Sequence, residues 1–109
     1  MAQTIKVLGQ QNPTAASLTT LYTVPSSTGT VASSLVICNR SSVATSFRVA
    51  IRTSGAAISN ENYLYYDVPI AGNDTFIATI GITLAATDVV SVYATLATLS
   101  FNLFGTENT

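Results

Sequence analysis

The chain contains no histidine and no tryptophan, a single cysteine, and few charges: four Lys+Arg and five Asp+Glu in 109 residues. Each shortage removes a class of chemistry. Without histidine there is no Ser-His-Asp or Cys-His arrangement, and the commonest general base and metal ligand are missing. The one cysteine, Cys38, neither closes an internal disulfide nor supplies a zinc cluster. No stretch reaches the roughly 18 apolar residues of a membrane helix, and the N-terminal MAQTIKVLGQQ lacks the apolar core of a signal peptide. The basic residues Lys6, Arg40, Arg48 and Arg52 form no run, so neither nucleic acid nor membrane is expected as a partner. No GxGxxG or P-loop pattern is present, and no cofactor or metal is expected. A non-enzymatic role follows from these absences taken together.

The carboxylates fit that expectation. A glycosidase needs two of them converging in a cleft. Asp74 and Asp88 instead sit in turns just before strands, where a short acidic side chain ordinarily bonds backbone N–H groups. Glu61 and Asp67 flank a tyrosine-rich strand without the spacing of a calcium loop.

What the chain does have is apolar and β-branched residues. Hydrophobic residues make up 48% and charged residues 8%, against about 25% charged in ordinary soluble domains. With a net charge of −1 the chain is poorly equipped to stay dispersed, and self-association, as a trimer or hexamer, is expected. One domain, residues 1–109, fits the length.

The periodicity is two nearly everywhere. In ATSFRVAIR (44–52), Phe47, Val49 and Ile51 point one way, and Ser46, Arg48, Ala50 and Arg52 the other. TFIATIGIT (75–83) sends Phe76, Ala78, Ile80 and Ile82 to one side. Val92 and Phe101 lie on similar stripes, and these positions are the expected core. VASSLVICN (31–39) is apolar on both faces, which predicts a central strand covered on both sides and a buried, inert Cys38. Turn signals at 25–29, 39–42, 53–62, 71–74 and 85–88 separate the runs; NRSS (39–42) has the length of a hairpin turn. Seven or eight strands are expected, near 4–8, 18–24, 31–39, 44–52, 63–68, 75–83, 88–94 and 98–104. Short strands at spacings of about 8–12 residues predict an all-β, mostly antiparallel sandwich, jelly-roll or immunoglobulin-like. The polar ends predict an N-terminal arm (1–13) able to reach a neighbour and a flexible C-terminal tail (105–109).

NYLYYD (62–67) concentrates three of the five tyrosines. Strict alternation places Tyr63 and Tyr65 on one face and Leu64 and Tyr66 on the other. Tyr63, Tyr65, Asp67, Arg48 and Arg52 are the candidate contact residues, in a protein interface or, alternatively, in a glycan platform completed by the 53–62 loop.

Several stretches carry a resemblance. LYTVPSSTGTVASSLVICNRSSVATSFRVAI (21–51), YLYYDVPIAGNDTF (63–76), GITLAATDVVSVYA (81–94) and LSFNLFG (99–105) resemble, in the same order, small virion structural proteins of tailed bacteriophages, including cyanobacterial phages. The resemblance covers nearly the whole chain and carries no catalytic motif. It implies a virion structural protein assembled in the host cytoplasm, with other virion proteins as partners. Decoration or cementing of the capsid, against the major capsid protein, is the leading expectation; a neck, tail or fibre position is the alternative. ITLAATDVVSVY (82–93) is also similar to jelly-roll modules, with Thr87 where those usually have glycine.

Overall fold

The computed structural model describes residues 2–109, and Met1 lies outside the described residues. The chain forms eight strands: β1 (Gln3–Gln11), β2 (Thr19–Thr23), β3 (Gly29–Asn39), β4 (Thr45–Arg52), β5 (Tyr63–Ile70), β6 (Thr75–Leu84), β7 (Val89–Ala94) and β8 (Leu99–Asn108). Two short 3-10 turns, Thr53–Gly55 and Asn60–Asn62, lie between β4 and β5. The strands build two four-stranded sheets, ordered β1-β8-β3-β6 and β2-β7-β4-β5, with every pairing antiparallel.

This nested order distinguishes the two expected sandwiches. The chain runs as one long folded hairpin, β1 beside β8, β2 beside β7, β3 beside β6 and β4 beside β5. That is the two-sheet jelly roll rather than the immunoglobulin arrangement. It follows that β3 and β4 lie in different sheets, so NRSS is an arch between sheets and not a hairpin turn. Asn39, almost fully buried, holds this arch. Its Nδ2 donates to the carbonyls of Val43 (2.9 Å) and Ala71 (3.2 Å), and its Oδ1 accepts from Ser41 N and Thr98 Oγ1. One fully satisfied amide thus ties three connections at one end of the sandwich.

The core lies between the sheets. Phe47, Phe101, Leu35, Ile37, Leu99, Leu103, Val49 and Val92 are at most 1% exposed, while Ile51 and Ile80 pack against them partly buried. Phe47 of one sheet meets Phe76 and Phe101 of the other at ring-centroid distances of 5.1 and 6.3 Å. At the far end, Asp88 accepts from Ala85 N and, across the loop, from Ser54 N, both at 2.9 Å. Asp74 Oδ1 accepts from Thr75 N. Both aspartates therefore serve turns. Thr87 adopts φ +69°, a left-handed conformation costly for a β-branched residue and natural for the glycine that jelly-roll modules usually place there.

Two further expectations are corrected. The arm and tail are instead a strand pair: β1 runs antiparallel to β8 from Gln3↔Asn108 to Gln11↔Phe101, and Ala2 and Thr109 exchange backbone hydrogen bonds. Backbone pairing extends the strands expected near 4–8 and 98–104 through the polar ends, to Gln3–Gln11 and Leu99–Asn108. Cys38 is half-buried, not buried. It lies in an interior strand, but on the outer face of its sheet, which no other element covers among the described residues.

Candidate functional site

The outer face of β2-β7-β4-β5 carries Arg48, Arg52 and Asp67 together with Tyr63, Tyr66 and Tyr93. Arg48 projects outward from β4, between β7 and β5. Its guanidinium carbon lies 4.2 Å from the Tyr66 ring centroid and 4.3 Å from that of Tyr93, which is directly opposite on β7. Arg48 Nε donates to Asp67 Oδ1 at 2.6 Å and Nη2 donates to Oδ2. The Asp67 hydrogen bond pushes the Arg48 pKa further up, so this guanidinium stays charged at any working pH. Flat cation, two rings and a carboxylate make a rigid clamp across three strands.

Bulges in β5 create this grouping. Phe47 faces Val68, Val49 faces Tyr65, and Ala50 faces Tyr63, so β5 spends extra residues twice. Asp67, at φ +51°, is the left-handed residue in one of these irregularities. Strict alternation is broken, and Tyr63 and Tyr65 end on opposite faces. Tyr65 turns into the core, 5.5 Å from Phe76 and 6.2 Å from Phe47. The expected Tyr63–Tyr65 platform is therefore replaced by an edge-on pair of Tyr63 and Tyr66 at 4.9 Å. These two, with Asn60, line a recess of about 380 Å³.

Arg52 is held apart from the clamp. Its Nε donates to Ser91 Oγ and its Nη1 to the Ala56 carbonyl, which fastens the 53–62 loop over that end of the sheet. Ala50 and Ser91 are buried there. Glu61, on the same loop, has its carboxyl held below the usual range by its own backbone N–H and the Ser59 hydroxyl. Of the five candidate residues, then, Tyr63, Arg48 and Asp67 share one face, Tyr65 is core, and Arg52 serves the loop. Tyr66 and Tyr93 complete the group. That Tyr93 alternates with Val92 and Ala94 is plain in the chain, but its place opposite Arg48 comes only from the strand pairing, and the side of Tyr66 is decided by the β5 bulges.

The outer face of β1-β8-β3-β6 is the opposite in character. Cross-strand rows run Val7, Phe104, Ser34, Thr79; Ile5, Thr106, Val31, Thr83; and Asn102, Val36, Ile77. Ile5 is 87% exposed and Ile77 67%. No formal charge points from this face among the described residues. Lys6 and Glu107 turn inward at the margin, where Lys6 Nζ donates to Glu107 Oε1 and the Tyr22 hydroxyl donates to Oε2 at 2.6 Å. Arg40, Asp74 and Asp88 lie on loops, and the other charges belong to the opposite face and its covering loop. Toward one end, Gln10, Gln11, Asn12, Ser100, Phe101 and Asn102 line an open groove of about 390 Å³. Comparisons with protein-family models, with curated proteins and with solved structures return no match.

Proposed function

We propose that the protein is a non-enzymatic virion structural subunit, acting through many-copy protein contacts, with decoration or cementing of the capsid shell as the leading role and a neck, tail or fibre position as the alternative. The observation that carries this reading is the uncharged outer face of β1-β8-β3-β6, with Ile5, Val7, Val31 and Ile77 exposed in a field of Ser, Thr and Asn. Such a face packs against another protein without desolvating ions. The sequence resemblance to phage virion proteins points the same way, and the jelly roll is a fold used in viral shells, an analogy that adds weight only at the level of architecture. Function here is area burial repeated over many copies, not turnover.

The test is co-sedimentation with undecorated shells, together with mass spectrometry of purified particles. Binding to shells that is lost in Val31→Asp while the fold is retained supports the reading. Absence from particles, together with no binding to shell, neck or tail, overturns it.

A second reading rests on the recess lined by Asn60, Tyr63 and Tyr66, where aromatic surface adjoins an amide on the opposite face. That composition suits a host glycan, and loops at the end of a sandwich often carry binding. Enrichment on a glycan array that disappears in Tyr66→Ala would establish it. An array without signal would leave the clamp a purely structural device.

A further inference from the structure

A sandwich of two open sheets has four edge strands, and three of these carry devices that discourage pairing with another chain. β1 contains Lys6 and a register break between Val7 and Gly9. It also lies against β2: a Cβ on Gly9 would overlap the Leu21 carbonyl, and Gln11 Nε2 donates to the Thr20 carbonyl. β2 is five residues long and has its own register break. β5 has two breaks, the left-handed Asp67, and Pro69. The fourth edge is different. β6, TFIATIGITL, is ten residues long, without charge or proline. From Thr75 to Thr79 it pairs with β3 in unbroken register, and only beyond that does a break with Gly81 at φ +53° bend it. Among the described residues no other strand pairs with its free side.

We propose that the Thr75–Thr79 edge of β6 pairs antiparallel with the same edge of a second copy, joining two four-stranded sheets into one of eight strands across a two-fold axis. The proposal rests on the reading of the chain as a subunit that works through protein contacts, and it names the partner of the uncharged face's own margin. An antiparallel pairing of a strand with itself is self-complementary, which is the requirement of a two-fold interface. The free N–H and C=O groups of each β6 become partners for the other. The row Asn102, Val36, Ile77 then continues into Ile77, Val36 and Asn102 of the partner. No like charges meet across the axis because these rows carry none. A two-fold contact also restricts the assembly to dimers or even-numbered forms such as a hexamer, and excludes a simple trimer.

The experiment compares light-scattering mass over a wide concentration range for the wild type, Ile77→Lys and Ile5→Lys. Both isoleucines point outward from the same sheet face, one on the edge proposed to pair and one on the opposite edge, and both are largely exposed, so neither lysine disturbs the core. The expected result is an even-numbered wild-type assembly whose mass at least halves in Ile77→Lys and is unchanged in Ile5→Lys. Hydrogen exchange adds a second measure: the alternate amides of 75–79 that face away from β3 are protected in the assembly and exposed in the variant. A wild-type monomer or trimer, or an Ile77→Lys mass equal to wild type, overturns the pairing. Shell co-sedimentation separates this from the proposed function: a monomer that binds shells overturns the β6 contact alone, and a dimer that binds no virion component overturns the functional reading alone.

Discussion

The two outer faces of the sandwich are built on the same alternation and differ in what they expose. On β2-β7-β4-β5, polar and aromatic groups have found partners within the chain: Arg48 lies against Tyr66 and Tyr93 and is bonded to Asp67, and Arg52 fastens the loop over Ala50 and Ser91. On β1-β8-β3-β6, Ile5, Val7, Val31 and Ile77 stand exposed with neither charge nor covering element among the described residues. A face that satisfies itself stabilises the monomer. A face left apolar and uncharged gains most from another protein. Substitutions on the first face should therefore register in stability, and those on the second in association.

The core shared by both faces sets the scale. Phe101→Ala removes a fully buried ring that meets Phe47 across the sheets, and it should cost about 3–5 kcal/mol in chemical denaturation. A loss under about 0.5 kcal/mol would mean that the strand faces solvent and that the assignment of faces is inverted. Arg48→Ala should cost about 1–2 kcal/mol, through two lost cation–π contacts and the packing of the stem. The contrasting change on the other face, Ile77→Thr, should stay within about 0.5 kcal/mol for the monomer while weakening association. Equal stability losses at the two positions would erase the distinction between the faces.

Thr87→Gly should raise stability by about 1 kcal/mol, since glycine reaches φ +69° without the clash a β-branched residue meets, offset in part by its larger unfolded-state entropy. A loss would show that Thr87 makes contacts worth more than the strain.

The smallest effect at neutral pH belongs to the margin where the sheets meet, at Tyr22 and Glu107. Burial, and then the hydrogen bond to Glu107, push Tyr22 up to about 12. Its contribution is complete below the unfolded value of about 10 and is lost as pH rises from there through about 12. Glu107 is shifted down, chiefly by the hydrogen bond from the Tyr22 hydroxyl. Its contribution is present above the unfolded value of about 4.3 and is lost as pH falls through the lower folded value. Tyr22→Phe should flatten the stability curve at both extremes. A wild-type and Tyr22→Phe pair that lose stability in parallel from pH 10 to 12 would refute the coupling.

Much of the fold was legible in the chain because its cause is local. Period-two alternation is a property of any half-buried strand, so ATSFRVAIR declared its strand and its core positions Phe47 and Val49, and the five turn signals each fall at a connection between two strands. The scarcity of charge was also plain from composition. Where that scarcity falls was not, because Glu107 turns inward to the Tyr22 hydroxyl and Lys6 to Glu107, while Val36 and Cys38 are left on an uncovered face. Nor was the grouping of Arg48, Tyr66 and Tyr93, which needs β5 to bulge twice and Asp67 to turn left-handed. Alternation gives each residue a side; pairing register and bulges, set by contacts distant in sequence, decide whether it keeps that side. The sequence by itself determined the strands and their inward stripes. Only the tertiary structure decided the jelly-roll order, the pairing of the two termini, and which face is left for a partner, because each depends on contacts between segments far apart in the chain.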